Sequence, residues 1–245
     1  FNGQMLVPDE NGRRINRIMM EKVDGAWQGA STLFLNTKEL RAGGVRIAMD
    51  ANGKSIYYAS TARGWQRPDE GIQKITYNGN TPFHVKDFKL TTKGFKIWFT
   101  EPIQDPEKLT EKISVRSFRF EYGYRYGSSE KDKKEHKILK LTGTGPFEIS
   151  IEGLEAGRIY ELEFDSKLRS KNGKTVDDKG VQYTLNRLQR PKSGYLTELK
   201  NTKDGIEVNI GGEFFAKYNF EKLSQPIIWP VNGPGDIRML RDYPF

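Results

Sequence analysis

The chain has 245 residues, of which 36% are hydrophobic, 29% charged and 12% aromatic, and its formal net charge is +8. This composition is too aromatic for a disordered chain, and the length suffices for one large or two ordinary domains. The sequence contains no Cys, which excludes disulfides, thiolate catalysis, Cys-ligated zinc and covalently attached haem within these residues.

The first 80 residues are expected to form short strands joined by turns. Strand-like runs cover residues 32–35, 45–49, 55–59 and 71–77. Asn52 and Gly53 between two of these runs are a strong signal for a hairpin turn. The only segment with helix-like spacing of its apolar residues is 14–22, which is therefore the single helix candidate.

Residues 81–190 have a more regular pattern, in which most strand-like runs alternate apolar and polar residues. These runs lie at 88–90, 94–99, 113–120, 138–141, 147–151, 158–164 and 182–185. Seven short alternating strands in about 100 residues are typical of an immunoglobulin-like or fibronectin-III-like sandwich. The predicted fold class is therefore all-β, with this sandwich at the centre.

Residues 191–245 are predicted to begin a further β-domain. A hairpin is expected around Lys203–Gly205, and the chain then becomes rich in Pro, Gly and large apolar residues such as Trp229 and Tyr243. These apolar side chains have little to bury them locally. We therefore expect a domain that opens here and continues past Phe245.

The charge pattern argues against a nucleic-acid interface. In the densest run, Lys131–Lys140, the lysines are interleaved with Asp132, Glu135 and His136, as in a solvated loop. Because His84 and His136 are the only histidines, a three-His metal site is excluded. No apolar run is long enough for a membrane-spanning helix. We predict no catalytic residues and no metal site in this chain.

Arg63 and Trp65, separated by Gly64, form the first candidate binding site. An Arg beside an exposed indole binds anionic or sugar ligands through hydrogen bonds and stacking. The alternative is that the two side chains pack together beneath the sandwich.

The second candidate site is the run Tyr122–Gly123–Tyr124–Arg125–Tyr126, whose tyrosines recur at period two. On a strand, this spacing places all three rings on one face. Such a face serves as an aromatic seam against another domain or as a platform for sugar rings. The seam requires that Tyr122, Tyr124 and Tyr126 are buried, and the carbohydrate platform requires that they are exposed.

Several segments together resemble known exported bacterial proteins. The runs 43–47, 52–58, 61–65 and 71–79 resemble the last blade of glucose/sorbosone dehydrogenase-like β-propellers. Residues 94–102, 122–128 and 183–186 resemble the Ig-like domain that follows such propellers. Residues 225–235 and 241–244 resemble the start of an uncharacterised β-domain family labelled methane oxygenase PmoA. The large parent proteins occur in planctomycetes and verrucomicrobia.

The resemblance implies three segments: partial propeller-like strands in 1–80, an Ig-like sandwich in 81–190 and the start of a further β-domain in 191–245. It also implies a periplasmic or extracellular location. Any c-type haem or quinone cofactor would lie elsewhere in the parent protein, and none is expected here. Because 80 residues cannot close a propeller, these strands must pack on the sandwich, on further sequence or on another chain.

The leading functional hypothesis is a non-catalytic structural or interaction region that docks neighbouring β-domains. Its expected partners are other segments of the parent polypeptide or another protein chain. One alternative is a part of an exported sugar-oxidising dehydrogenase, with Arg63 and Trp65 bordering its pocket. The other is a module that binds anionic polysaccharide through the face from Tyr122 to Tyr126.

Overall fold

The computed structural model describes residues 3–62, 69–124, 127–177, 179–189, 197–210, 213–220, 227–233 and 237–240. It is nearly all β, with 59% strand and 3% helix, which confirms the predicted fold class. The chain divides into two compact units, Phe1–Gln189 and Arg190–Phe245. The division at residue 80 stays a prediction.

The described strands of the first unit are β1 (Met5–Pro8), β2 (Arg14–Val23), β3 (Ala26–Asn36), β4 (Gly43–Met49), β5 (Ser55–Thr61), β6 (Gly71–Thr76), β7 (Val85–Leu90), β8 (Gly94–Phe99), β9 (Ile113–Arg119), β10 (Lys131–His136), β11 (Ile138–Thr142), β12 (Phe147–Ile151), β13 (Arg158–Phe164) and β14 (Gly180–Leu185). A short 3₁₀ helix, Pro106–Lys112, precedes β9.

Two sheets of this unit form the sandwich. One has seven strands in the order β1–β2–β3–β14–β13–β9–β10, and the other has four in the order β11–β12–β8–β7. Alternate residues of these strands point into a shared apolar core. Aromatic rings fill its centre, with Phe95 lying 5.3 Å from Tyr183 and 5.6 Å from Tyr160 between ring centroids. Most of the apolar side chains in this core come from the alternating strands that were predicted between residues 88 and 185.

The helix candidate at 14–22 is wrong, because these residues lie in strand β2. The apolar residues Ile15, Ile18 and Met19 fit helical spacing, but β2 pairs with β3 over its whole length. Strand β3 in turn pairs with β14, from Thr32 opposite Val181 to Gly29 opposite Thr184. The N-terminal hairpin therefore extends the sandwich sheet, and long-range pairing has overridden the local spacing.

Two polar side chains of β2, the buried Arg17 and the half-buried Glu21, join this strand to the opposite sheet. Arg17 is fully buried and donates to the backbone carbonyl oxygens of Val85 and Lys86 on β7. The Glu21 carboxylate accepts hydrogen bonds from the Leu90 N–H and the Tyr183 hydroxyl, both at 2.7 Å. Hydrogen bonds to charged groups are stronger than neutral ones, so these contacts hold the hairpin against β7.

Strands β4, β5 and β6 form a separate three-stranded sheet. Its inner face packs Ile56 and Tyr58 against Ile15 of β2 in a second small core. The Tyr58 hydroxyl donates to the Ala42 carbonyl oxygen at 2.9 Å. The predicted turn at Asn52–Gly53 is confirmed, since Gly53 N–H donates to the Asp50 carbonyl oxygen at 3.0 Å between β4 and β5.

The Lys131–Lys140 run is not a solvated loop, as the sequence suggested, but contains β10 and the start of β11. Strand β10 lies at the edge of the seven-stranded sheet and pairs with β9. Lys side chains are common on edge strands because they discourage pairing with another chain. The charge of the run is therefore compatible with a strand in this position.

The described strands of the second unit are β15 (Thr197–Thr202), β16 (Gly205–Ile210), β17 (Glu213–Asn219), β18 (Ile227–Gly233) and β19 (Ile237–Arg238). They form one antiparallel sheet in chain order. The predicted hairpin around Lys203–Gly205 joins β15 and β16 and is confirmed. Among the described residues of the chain, no helix has the length and hydropathy needed to cross a bilayer.

His84 makes the stability of the sandwich depend on pH. Its side chain is buried just before β7, and burial together with the nearby Arg17 guanidinium lowers its pKa from 6.5 to about 4, against the opposing charge of Asp177. Between these two values the unfolded chain binds a proton that the folded chain does not. The contribution of His84 to the free energy of unfolding should therefore be fully present above about pH 6.5. The free energy of unfolding should fall by about 3 kcal/mol as the pH is lowered toward 4.

Urea unfolding between about pH 4 and pH 7.5 tests this expectation in the wild type and in His84→Gln. The variant should show a distinctly smaller loss of stability across this range, because it has no imidazole to protonate at residue 84. Equal losses in the two proteins would contradict the assignment to His84.

Candidate functional site

The loop between β9 and β10 is described at residues 120–124 and 127–130, and these residues include the candidates Tyr122 and Tyr124. Tyr122 is fully exposed and Tyr124 is 94% exposed. Both lie in the loop and not on a strand, so the predicted single strand face is wrong for these two residues. Both rings are open to solvent and therefore do not form the buried seam that the sequence suggested.

The ends of this loop are fixed to the sandwich. The ring of Phe120 meets that of Phe118 edge-on at 5.3 Å between centroids, and Phe118 is buried. The N–H of Glu121 donates to the Ser128 hydroxyl at 3.1 Å across the loop. The loop therefore holds Tyr122 and Tyr124 away from the sheet on an anchored base.

A buried arginine organises the sheet below the loop. The Arg158 side chain, on β13, is fully buried, and its Nε donates to the Ser117 hydroxyl at 2.8 Å. Its Nη1 lies 2.5 Å from the Asp132 carboxylate, and its Nη2 donates to the Asp132 carbonyl oxygen. This hydrogen bond from Arg158 lowers the pKa of Asp132. Arg158 thus ties edge strand β10 to the centre of the sheet.

Glu155 forms a second anionic contact beside Arg158. Its carboxylate accepts from Lys134 Nζ at 2.9 Å and lies 3.4 Å from Arg119 Nη2. The hydrogen bond from Lys134 is the main cause of the lowered pKa of Glu155. The backbone N–H of Glu155 donates to the Tyr160 hydroxyl at 2.7 Å. Hydrogen bonds to its backbone and to its carboxylate therefore both fix the position of Glu155.

At the foot of the loop, Glu130 is paired with two cations. Its carboxylate lies 2.8 Å from Arg116 Nη1 and 2.9 Å from Lys133 Nζ. Hydrogen bonds from Arg116 and then Lys133 lower the pKa of Glu130 to about 2. The pairing therefore persists throughout the neutral pH range.

A Ser–His pair lies inside this network. The His136 ring donates through Nδ1 to the Glu152 carbonyl oxygen at 2.9 Å, so Nε2 accepts from the Ser117 hydroxyl at 2.6 Å. This is the spacing of a nucleophile and its base. However, Ser117 is fully buried and its oxygen also accepts from Arg158. Because no substrate can reach Ser117, we interpret the pair as a structural contact.

The other predicted site residues lie outside the part of the chain that the structure describes. Arg63 and Trp65 fall in the gap between Ala62 and Asp69, and Arg125 and Tyr126 follow directly after Tyr124. Next to the first gap, Asp69 forms an ion pair with Arg41 at 2.7 Å. The predictions made for these four residues stay predictions.

The network around Arg158 has little signal in the sequence. Arg158 and Ser117 occupy inward positions of alternating strands, where a polar residue is unusual, and this irregularity is the only local indication. Their partners Asp132 and Glu155 are distant in sequence from Ser117. Across the described ranges, no group of three or more His, Asp or Glu side chains is placed to hold a metal ion.

No protein-family model matches the chain, and no curated protein or solved structure matches it. The resemblance to propeller, Ig-like and PmoA-labelled domains therefore stays a prediction.

We expect Arg158→Ala to destabilise the first unit by about 3 kcal/mol, because it leaves Ser117 and the Asp132 backbone carbonyl without their buried donor. Arg119→Ala is the matched control. Arg119 contacts the same carboxylates of Asp132 and Glu155 but is 41% exposed, so its loss should cost at most about 1 kcal/mol.

Urea unfolding of both variants at neutral pH measures the difference. Equal destabilisation by the two substitutions would show that Arg158 has no special role in holding β10.

Proposed function

We propose that this chain is a non-catalytic interaction region whose contact surface is the loop between β9 and β10, at its described residues 120–124 and 127–130. The observation that carries the proposal is the exposure of Tyr122 and Tyr124 on a loop with anchored ends. This exposure does not fit a seam within the described residues and meets the condition set for the carbohydrate platform. The protein partner proposed here is therefore one that binds the loop from outside these residues, and sugar binding is kept as the second candidate. A tyrosine ring offers a large, amphipathic contact area and loses little conformational entropy when it binds. Two such rings at the tip of a rigid sandwich are suited to docking on another surface.

The composition of the loop supports the same function. Besides its tyrosines it contains Gly123, Gly127, Ser128 and Ser129. Tyr, Ser and Gly together are the typical residues of loops that bind proteins from a β-sandwich, since small residues let the aromatic rings adapt.

For the setting of this interaction, we propose a larger exported multidomain protein in the periplasm or outside the cell. The partner would be a neighbouring β-domain of the same polypeptide or another protein chain. This part of the proposal rests on the resemblance of residues 43–79, 94–186 and 225–244 to segments of such proteins. The alternative of a sugar-oxidising dehydrogenase depends on Arg63 and Trp65.

Site-specific photocrosslinking in the producing cells tests the interaction. A photoreactive phenylalanine analogue at Tyr124 should give one dominant crosslinked product, and mass spectrometry would then identify the attached peptide. The same analogue at Leu139, which is 59% exposed on β11, is the control. Identical products from the two positions, or none from Tyr124, would contradict the proposal.

We expect Tyr122→Ala combined with Tyr124→Ala to weaken binding of the crosslinked partner by at least about tenfold, the loss typical of an aromatic anchor. The melting temperature should stay within about 1 °C of wild type, because neither ring is part of the core. Calorimetric titration with the identified partner and thermal unfolding provide the two measurements. Unchanged affinity would exclude the tyrosines as the contact.

Binding of anionic polysaccharide is the second candidate function. It is favoured by the same exposed rings together with the chain's net charge of +8. Tyrosine rings stack on sugar faces, and lysine attracts sugar carboxylates. Affinity electrophoresis through polygalacturonate, with dextran as the neutral control, distinguishes this candidate. Specific retardation in polygalacturonate that the double alanine variant loses would favour carbohydrate over protein.

A further inference from the structure

Strand β6 is an open edge of the three-stranded sheet β4–β5–β6. It pairs with β5 over six consecutive residues, Gly71–Thr76, without a register shift. Within the ranges that the structure describes, no strand pairs with β6 on its other side. A regular edge of this kind presents a row of backbone N–H and C=O groups that can pair with one more strand.

The ladder between β5 and β6 defines which residues direct these backbone groups outward. The Tyr77 N–H donates to the Lys54 carbonyl oxygen at 2.9 Å, so Thr76 lies in the next pair of the ladder, which is non-hydrogen-bonded. Hydrogen-bonded and non-hydrogen-bonded pairs alternate along antiparallel strands. The N–H and C=O groups of Ile72, Lys74 and Thr76 therefore point away from β5.

The other edges of the first unit have features that hinder the addition of a strand. The pairings of β4, β7, β10 and β11 each contain a register shift. Strand β1 has only four residues and ends at Pro8. Bulges, short edge strands and prolines are common protections of a sheet edge. Among the edge strands described in the first unit, β6 is therefore the one without a bulge or a proline.

The side chains of the outward-directed residues are also exposed. Ile72 is 73% exposed, and Lys74 and Thr76 are open to solvent as well. The Lys74 Nζ lies 5.8 Å from the ring centroid of Tyr57, the neighbouring residue on β5. A further strand would cover one side of Ile72 and would place a side chain directly opposite Lys74.

We propose that β6 binds an extended segment of another protein chain as an additional antiparallel strand, with an acidic residue opposite Lys74. Backbone groups at strand spacing are matched by a second extended backbone, and the main-chain hydrogen bonds supply affinity. An acidic residue opposite Lys74 adds a favourable charge pair across the strands. Valine or threonine suits the positions opposite Ile72 and Thr76, because both have high strand propensity.

The charge of Lys74 disfavours a second copy of β6 as this partner. The antiparallel register that uses all outward-directed residues of both copies places Lys74 opposite Lys74, and like charges directly opposite each other are destabilising. A segment with an acidic residue at this position has the complementary charge. The site lies on different strands from the loop between β9 and β10, so it goes beyond the proposed function.

NMR titration of the full chain with the acetylated and amidated peptide Thr-Val-Glu-Thr-Val tests the proposal. In the antiparallel register, its first Thr, its Glu and its last Val lie opposite Thr76, Lys74 and Ile72. Binding should shift the amide signals of these three residues and slow their hydrogen exchange, with a dissociation constant below about 1 mM. The amides of Gln73 and Ile75, which are directed toward β5, should change less.

N-methylated peptides provide a matched control that leaves the protein unchanged. Methylation of the Glu nitrogen removes a donor that faces β6 and should weaken binding at least about fivefold. Methylation of the nitrogen of the following Thr, which faces away from β6, should leave the affinity within about twofold. A peptide with Lys in place of Glu should bind at least about threefold more weakly, because it places two like charges opposite each other.

Lys74→Pro removes the outward N–H from the protein and leaves the hydrogen bonds to β5 intact, whereas Lys74→Ala keeps this N–H. The Pro variant should bind the peptide at least about fivefold more weakly than the Ala variant. Absence of binding at about 2 mM peptide, or equal binding of the two methylated peptides, would overturn the proposal. The Tyr122→Ala and Tyr124→Ala variant should bind the peptide normally, which separates this test from that of the loop.

Discussion

The antiparallel pairing of β3 with β14 is the interaction on which the first unit depends. It joins strands that are about 150 residues apart in sequence and places the N-terminal hairpin in the same sheet as the core strands β13 and β9. Gly29 lies on this pairing, and a Cβ at that position would overlap the Met19 carbonyl oxygen. Arg17 and Glu21 then bind the hairpin to β7 of the other sheet. Of the three ways in which the N-terminal strands were expected to pack, packing on the sandwich therefore applies to β2 and β3.

The rigid sandwich explains how an exposed loop can be a defined surface. Arg158 is hydrogen-bonded to Ser117 at the centre of the sheet and to Asp132 on edge strand β10. It therefore holds this edge strand to the centre of the sheet. The loop before β10 consequently has a fixed base, while Tyr122 and Tyr124 remain in water. A rigid frame with an aromatic tip reduces the entropy lost on binding, which favours affinity without further contacts.

The sequence predicted those parts of the fold that are determined by residues close together in the chain. Strands with clean alternation, such as Arg158–Phe164, and turns with Asn–Gly were found where expected. The helix candidate at 14–22 and the loop at 131–140 were wrong, since both segments obtain their structure from partners distant in the chain. The Arg158 network was missed for the same reason. For the tyrosines, period two was a correct observation about spacing, but the residues lie in a loop, where spacing does not define a face.

Native-state hydrogen exchange across β2, β3, β13 and β14 tests the central role of the β3–β14 pairing most directly. If the hairpin is part of the sandwich sheet, the protected amides of β2 and β3 should open with the same free energy as those of β13 and β14, and with the same dependence on denaturant. If the amides of β2 and β3 instead exchange through a smaller, separate opening while β13 and β14 stay protected, the hairpin is an appendage and the first unit does not depend on the β3–β14 pairing.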